Sequence, residues 1–164
     1  VKPLSETDIR SSIVNASRGD IDRMPLPGLH EVMWDDREYL GWRDPQSRLR
    51  GYLVHWAGDV PVGIVLRASE VGLTRGISAM CAFCRTPQPS HQVTMFTAPR
   101  AGQAGRDGNT IGTYICDDLA CSLMIRILPA AHPLNPDPAD VVAARAEGLL
   151  TRVQNFTADI LRTA

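Results

Sequence analysis

Four cysteines fall in two tight pairs, Cys81-Ala82-Phe83-Cys84 and Cys116-Asp117-Asp118-Leu119-Ala120-Cys121, with the spacing C-x2-C-x31-C-x4-C. Thiolates are soft ligands, and four of them brought together tetrahedrally suit Zn²⁺ at ~2.3 Å per Zn–S bond. In a reducing compartment such pairs have no structural use as disulfides, and two pairs with none left over are unlike the lone cysteines that serve as small buried hydrophobes. The spacing therefore predicts one structural zinc held by Cys81, Cys84, Cys116 and Cys121. Four thiolates close the coordination shell and leave no position for a metal-bound water, which argues against a hydrolase or deaminase. His91 replacing a cysteine as ligand would be the exception. His30, His55 and His132 have no partner at metal spacing. The chain carries no Gly-rich phosphate loop and no nucleophile–base motif, so the expectation is a protein that is not an enzyme and takes no small-molecule substrate.

These ligands need elements to position them. The first pair precedes Arg85-Thr86-Pro87, a turn in which a C-x2-C knuckle can aim backbone N–H groups at sulfur. The second follows Ile111-Gly112-Thr113-Tyr114-Ile115, which alternates like a strand, and enters a stretch over 117–125 that reads as a helix with Cys121 in its first turn. A helix N-terminus there stabilises a thiolate by roughly 0.3–1 kcal/mol. With residues 92–97 as the partner strand, the order is knuckle, hairpin, helix: a treble-clef zinc finger. The intervening residues 99–109 read as a structureless loop with Arg100 and Arg106, of a length that usually has a use.

Around the finger, Ser5 caps an expected helix carrying Ile9, Ile13 and Ala16 as far as Gly19. Residues 51–56 and 60–66, separated by Ala57-Gly58-Asp59, predict a β-hairpin, with Pro61 in the first residues of its strand or at an edge. Residues 129–138 read as a stiff Pro-rich linker. Asp137 then caps a helix opened by Pro138, along which Val142, Ala146, Leu149, Val153, Phe156 and Ile160 form one apolar stripe. The expected class is α+β, divided into an N-terminal helix and hairpin region (1–78), the finger (79–128), the linker (129–138) and a C-terminal helix (139–164).

Composition sets the outer limits. The 164 residues, 44% hydrophobic and 21% charged, can bury a core. Seventeen basic residues against eighteen acidic ones leave a formal charge of -1, so no global field draws the chain onto nucleic acid or anionic lipid. No apolar run is long enough to span a bilayer and the N-terminus does not read as a signal peptide, so the expected location is the cytoplasm and no membrane partner is expected.

The runs Met80–Cys84, Ala98–Arg106 and above all Gly112–Ser122 resemble the C-terminal treble-clef zinc-finger domain of the FusB-type proteins that bind elongation factor G; Tyr39–Pro45 and the hairpin to Arg67 resemble actinobacterial members of that group. The close match covers roughly residues 80–126. The resemblance implies a zinc-containing adaptor that contacts elongation factor G, and thereby the ribosome, with relief of fusidic-acid stalling in the resistance proteins. It carries the four zinc ligands onto the cysteines above. Those proteins have a helical domain before the finger, whereas residues 50–67 here read as strands. A nucleic-acid- or rRNA-binding zinc finger is the alternative. Aromatic and arginine side chains dominate binding hot spots, so Phe83, Arg85, Arg100, Arg106 and Arg126 are the expected partner-binding residues.

Overall fold

The computed structural model describes residues 1–128 and 137–162. Most of the linker expected at 129–138 lies outside them. Ser5 accepts the Asp8 N–H and Asp8 returns the bond to the Ser5 N–H, a full capping box for α1 (Glu6–Ser12). The helix stops at Ser12 rather than running on to Gly19. The reason is tertiary: Ile13 bridges to Gly63, and the Val14 N–H donates to the Gly63 carbonyl, so sheet pairing takes the backbone groups the helix would need. A second short helix, α2 (Arg18–Asp22), follows with Ser17 as its cap.

Five antiparallel strands then form one sheet: β1 (Leu40–Arg43), β2 (Arg50–Ala57), β3 (Val60–Ala68), β6 (Val93–Pro99) and β7 (Thr110–Cys116), in that spatial order. The expected hairpin is β2–β3, turning at Gly58 with φ +63°. Pro61 is the second residue of β3. Two three-residue strands, β4 (Ser78–Met80) and β5 (Pro87–Pro89), pair around the knuckle.

The long segment after β6 is not structureless. It holds α3 (Gly102–Arg106) and is closed at its base by the Arg100 N–H donating to the Asn109 carbonyl. After β7 come α4 (Cys121–Met124) and α5 (Pro138–Leu161), the latter capped by Asp137 with Pro138 as its first residue. The stripe on α5 packs in cis: Leu149, Val153 and Ile160 are fully buried against Leu53, Ile64, Leu66, Phe96 and Ile115 of the sheet, with Ala146 and Phe156 beside them. All four cysteines belong to this same cluster. A second cluster, with Ile9, Trp42, Tyr52 and Val54, ties the N-terminal helices to the opposite side of β1 and β2.

Candidate metal centre

The chain delivers its four sulfurs from three elements. Strand β7 ends on Cys116, the chain turns through Asp117–Ala120, and Cys121 opens α4. The expected helix over 117–125 is therefore shorter: Leu119 sits at φ +59°, which no helix residue adopts, so Asp117 and Asp118 lie in the turn and the helix begins at Cys121. On the other side, β4 and β5 hold the Cys81–Cys84 knuckle. The Arg85 N–H donates to the Cys81 carbonyl at 3.0 Å and the Cys84 N–H points at the Cys81 sulfur at 3.4 Å. The Ala82 N–H donates to the Tyr114 carbonyl at 2.7 Å and so clamps the knuckle onto β7.

Cys81 and Cys121 Sγ lie 3.6 Å apart, as do Cys84 and Cys116 Sγ, and all four sulfurs fall within 4.8 Å of one another. A tetrahedron with Zn–S bonds of ~2.3 Å has edges of ~3.8 Å, so the cluster fits one zinc. The separation is far beyond the ~2.05 Å of a disulfide. Each cysteine is buried, from 0% to 6% exposed. Hydrogen bonds with Cys116, Cys81 and Cys84 push the Cys121 thiol well above its ordinary value, while bonds from Cys116 and Cys121 hold Cys84 low. Protons are thus shared among sulfurs too close to ionise together. A divalent cation removes that conflict, which couples metal binding to proton release and to folding.

Three residues outside the ligand set complete the site. Gln88, 5% exposed, directs its amide Nε2 at Cys116 Sγ (3.2 Å) and Cys84 Sγ (3.7 Å). The Tyr39 hydroxyl donates to the Leu119 carbonyl at 2.8 Å; burial, then the neighbouring Cys121, keeps that phenol protonated. Gly41 lets the cysteine-bearing turn seat on the sheet, since a Cβ there would meet the Leu119 carbonyl oxygen at 2.6 Å. Tyr39 and Gly41 lie in the Tyr39–Pro45 run, but no local pattern in the sequence ties any of the three to the metal. His91 is exposed and stands apart from the cluster.

The expected partner-binding residues separate into two groups. Phe83 is 2% exposed and packs edge-on against Tyr39 and Phe156, with ring centroids 6.4 and 5.6 Å away, so it is a core residue and not a contact surface. Arg100 is half-buried and donates to the Asp159 and Arg162 carbonyls at the C-terminus of α5, where a cation satisfies unpaired helix carbonyls. Arg126 makes a bidentate pair with Glu38 at 2.9 and 3.0 Å and reaches Asp36 at 3.4 Å, which ties α4 to the segment before β1. Arg100 and Arg126 are thus structural ties. Arg85 and Arg106 are exposed.

A zinc knuckle, a β-hairpin and a short helix that converge four cysteines on one metal define a treble-clef zinc finger. The chain belongs to the FBP C-terminal treble-clef zinc-finger family, whose model matches residues 8–160. The match takes in the sheet and α5 as well as the finger. Among curated proteins none matches significantly. A solved structure of the fusidic acid resistance protein FusC is similar at 20% identity and a TM-score of 0.46, over 65% of this chain and 51% of its own. The chain thus spans about half the length of that protein. No helix among the described residues is long and apolar enough to cross a membrane.

Proposed function

We propose that the protein is a non-enzymatic, zinc-stabilised adaptor of the cytoplasm that binds translation elongation factor G and reaches the ribosome through it. The observation that carries this reading is the family match over residues 8–160, joined to a finger whose cysteines are part of the main core. A metal closed in by four buried thiolates has a scaffolding role, because catalytic zinc keeps a ligand position for water or substrate. Surface side chains on that scaffold, Arg85 and Arg106 among them, then meet the partner. Purified zinc-loaded protein immobilised on a sensor should capture purified elongation factor G at micromolar concentration or below. Absence of capture under those conditions sinks the reading. Release of ribosomes stalled by fusidic acid is a separate activity, measured by restored factor turnover when the adaptor is added.

A further inference from the structure

Beside the knuckle, a cleft of about 450 Å³ opens between the finger and α5. Three guanidiniums line it, from Arg85, Arg145 and Arg152, and among the described residues no carboxylate does. Two of them are fixed in place by backbone: Arg145 donates to the Ile125 and Ile127 carbonyls, and Arg152 donates to the Phe83 carbonyl. Those bonds use Nη1 of Arg145 and Nε of Arg152, so each guanidinium keeps further N–H groups for an outside acceptor. Among the described residues none of the three forms an ion pair, although the chain as a whole has as many acids as bases to within one.

The metal centre accounts for part of this charge, since Cys84 also lines the cleft and four thiolates around Zn²⁺ carry a net double negative charge. Three guanidiniums exceed that by one. The walls are apolar: Met124, and Ile127 with 63% of its surface exposed. Gly148 also lines the cleft in the middle of α5, where glycine costs about 1 kcal/mol relative to alanine; a Cβ there would stand 2.9 Å from Arg152 Nη1. The glycine leaves room for that guanidinium.

We propose that this cleft docks an acidic protein segment that carries an apolar anchor: carboxylates take the free N–H groups of Arg85, Arg145 and Arg152, and an aliphatic or aromatic side chain lies on Met124 and Ile127. Pre-positioned guanidiniums favour bidentate carboxylate recognition. RNA is the poorer fit, because among the described residues no aromatic side chain lines the cleft for a base to stack on. In the elongation factor G reading, on which the choice of a protein occupant rests, the segment belongs to that factor.

The test titrates ¹⁵N-labelled zinc-loaded protein with an end-blocked peptide of alternating glutamate and leucine, and separately with a short oligouridylate. The peptide should shift the Arg145 and Arg152 side-chain resonances saturably. Arg85→Glu combined with Ile127→Ser, both exposed, should weaken it about tenfold or more with zinc content unchanged. No saturable shift in the cleft, unchanged affinity in the double variant, or a cleft response to the oligouridylate alone overturns the proposal. The same double variant is then tested against elongation factor G. Equal capture of both proteins removes the cleft and leaves the adaptor reading standing; capture of neither, with the peptide still in the cleft, does the reverse.

Discussion

Gln88 places one amide nitrogen against two of the four sulfurs, so its loss should be felt as metal affinity before it is felt as fold. Outer-shell partners of metal ligands typically change affinity by about 10–100-fold. Gln88→Leu should release zinc to a competing chelator at a concentration lower by about that factor, with near-native circular dichroism in the loaded state. Arg85 sits at φ +58°, a conformation that costs a side-chain-bearing residue about 1–2 kcal/mol, of which glycine's freedom in the unfolded chain returns part. Arg85→Gly is therefore expected to raise stability by about 0.5–1 kcal/mol in a denaturant titration while weakening partner capture. His55 adds a pH term. Its Nε2 lies 2.7 Å from the Thr157 hydroxyl, and among the described residues its buried Nδ1 has no partner. Burial holds this imidazole below its ordinary 6.5. The unfolded chain then takes up the proton first, so this contribution is complete above pH ~6.5 and is lost as pH falls below it. His55→Gln should flatten the stability profile between about pH 5 and 7 relative to the parent. The four ligands were legible because metal spacing is a local property of the chain. Gln88, Tyr39 and His55 were not, since their partners arrive from 28, 80 and 102 residues away.

At the scale of elements, α5 was readable from its cap, its opening proline and its stripe, all of which lie in one continuous stretch. What locks its far end was not readable. Arg100 satisfies two of its last carbonyls, and the Ala101 N–H donates to the Ile160 carbonyl at 2.9 Å, so the segment bearing α3 is a clasp on α5. Arg100→Ala should cost about 1.5–3 kcal/mol in thermal or denaturant unfolding, as for a hydrogen bond from a charged group; Arg106→Ala, whose side chain among the described residues bonds only Gln103, should cost almost nothing. Unchanged stability in the Arg100 variant would remove the clasp. Gly105→Ala should be worse than either, because its Cβ would strike the Arg100 carbonyl oxygen. Strand β1 and the β4–β5 pair were missed because three or four residues give too little alternation to read.

The whole molecule has the metal inside its main core instead of in an appended module: Cys81, Cys84, Cys116 and Cys121 share one apolar cluster with the sheet and α5. Stripping zinc with excess chelator should therefore collapse helix and sheet signals in a single transition, because the binding free energy of a structural zinc is folding free energy. Persistence of the sheet signal after complete metal removal would show the two to be separable. Composition could bound this molecule as a chain able to bury a core, and local patterning as α+β, but the sharing of one core by three stretches of sequence is a property of packing that no local pattern records.

Helix α5 is the last of the described elements to leave the ribosome, yet its side chains close the face formed by Leu53, Ile64, Leu66 and Phe96. During synthesis the five strands and all four cysteines emerge while that face is still bare. The nascent protein must therefore hold a sticky, half-finished sheet until about forty residues beyond Cys121 have been added. All four metal ligands are in the chain by residue 121, so metal capture can gather the cysteines before that helix arrives and completes the core around them.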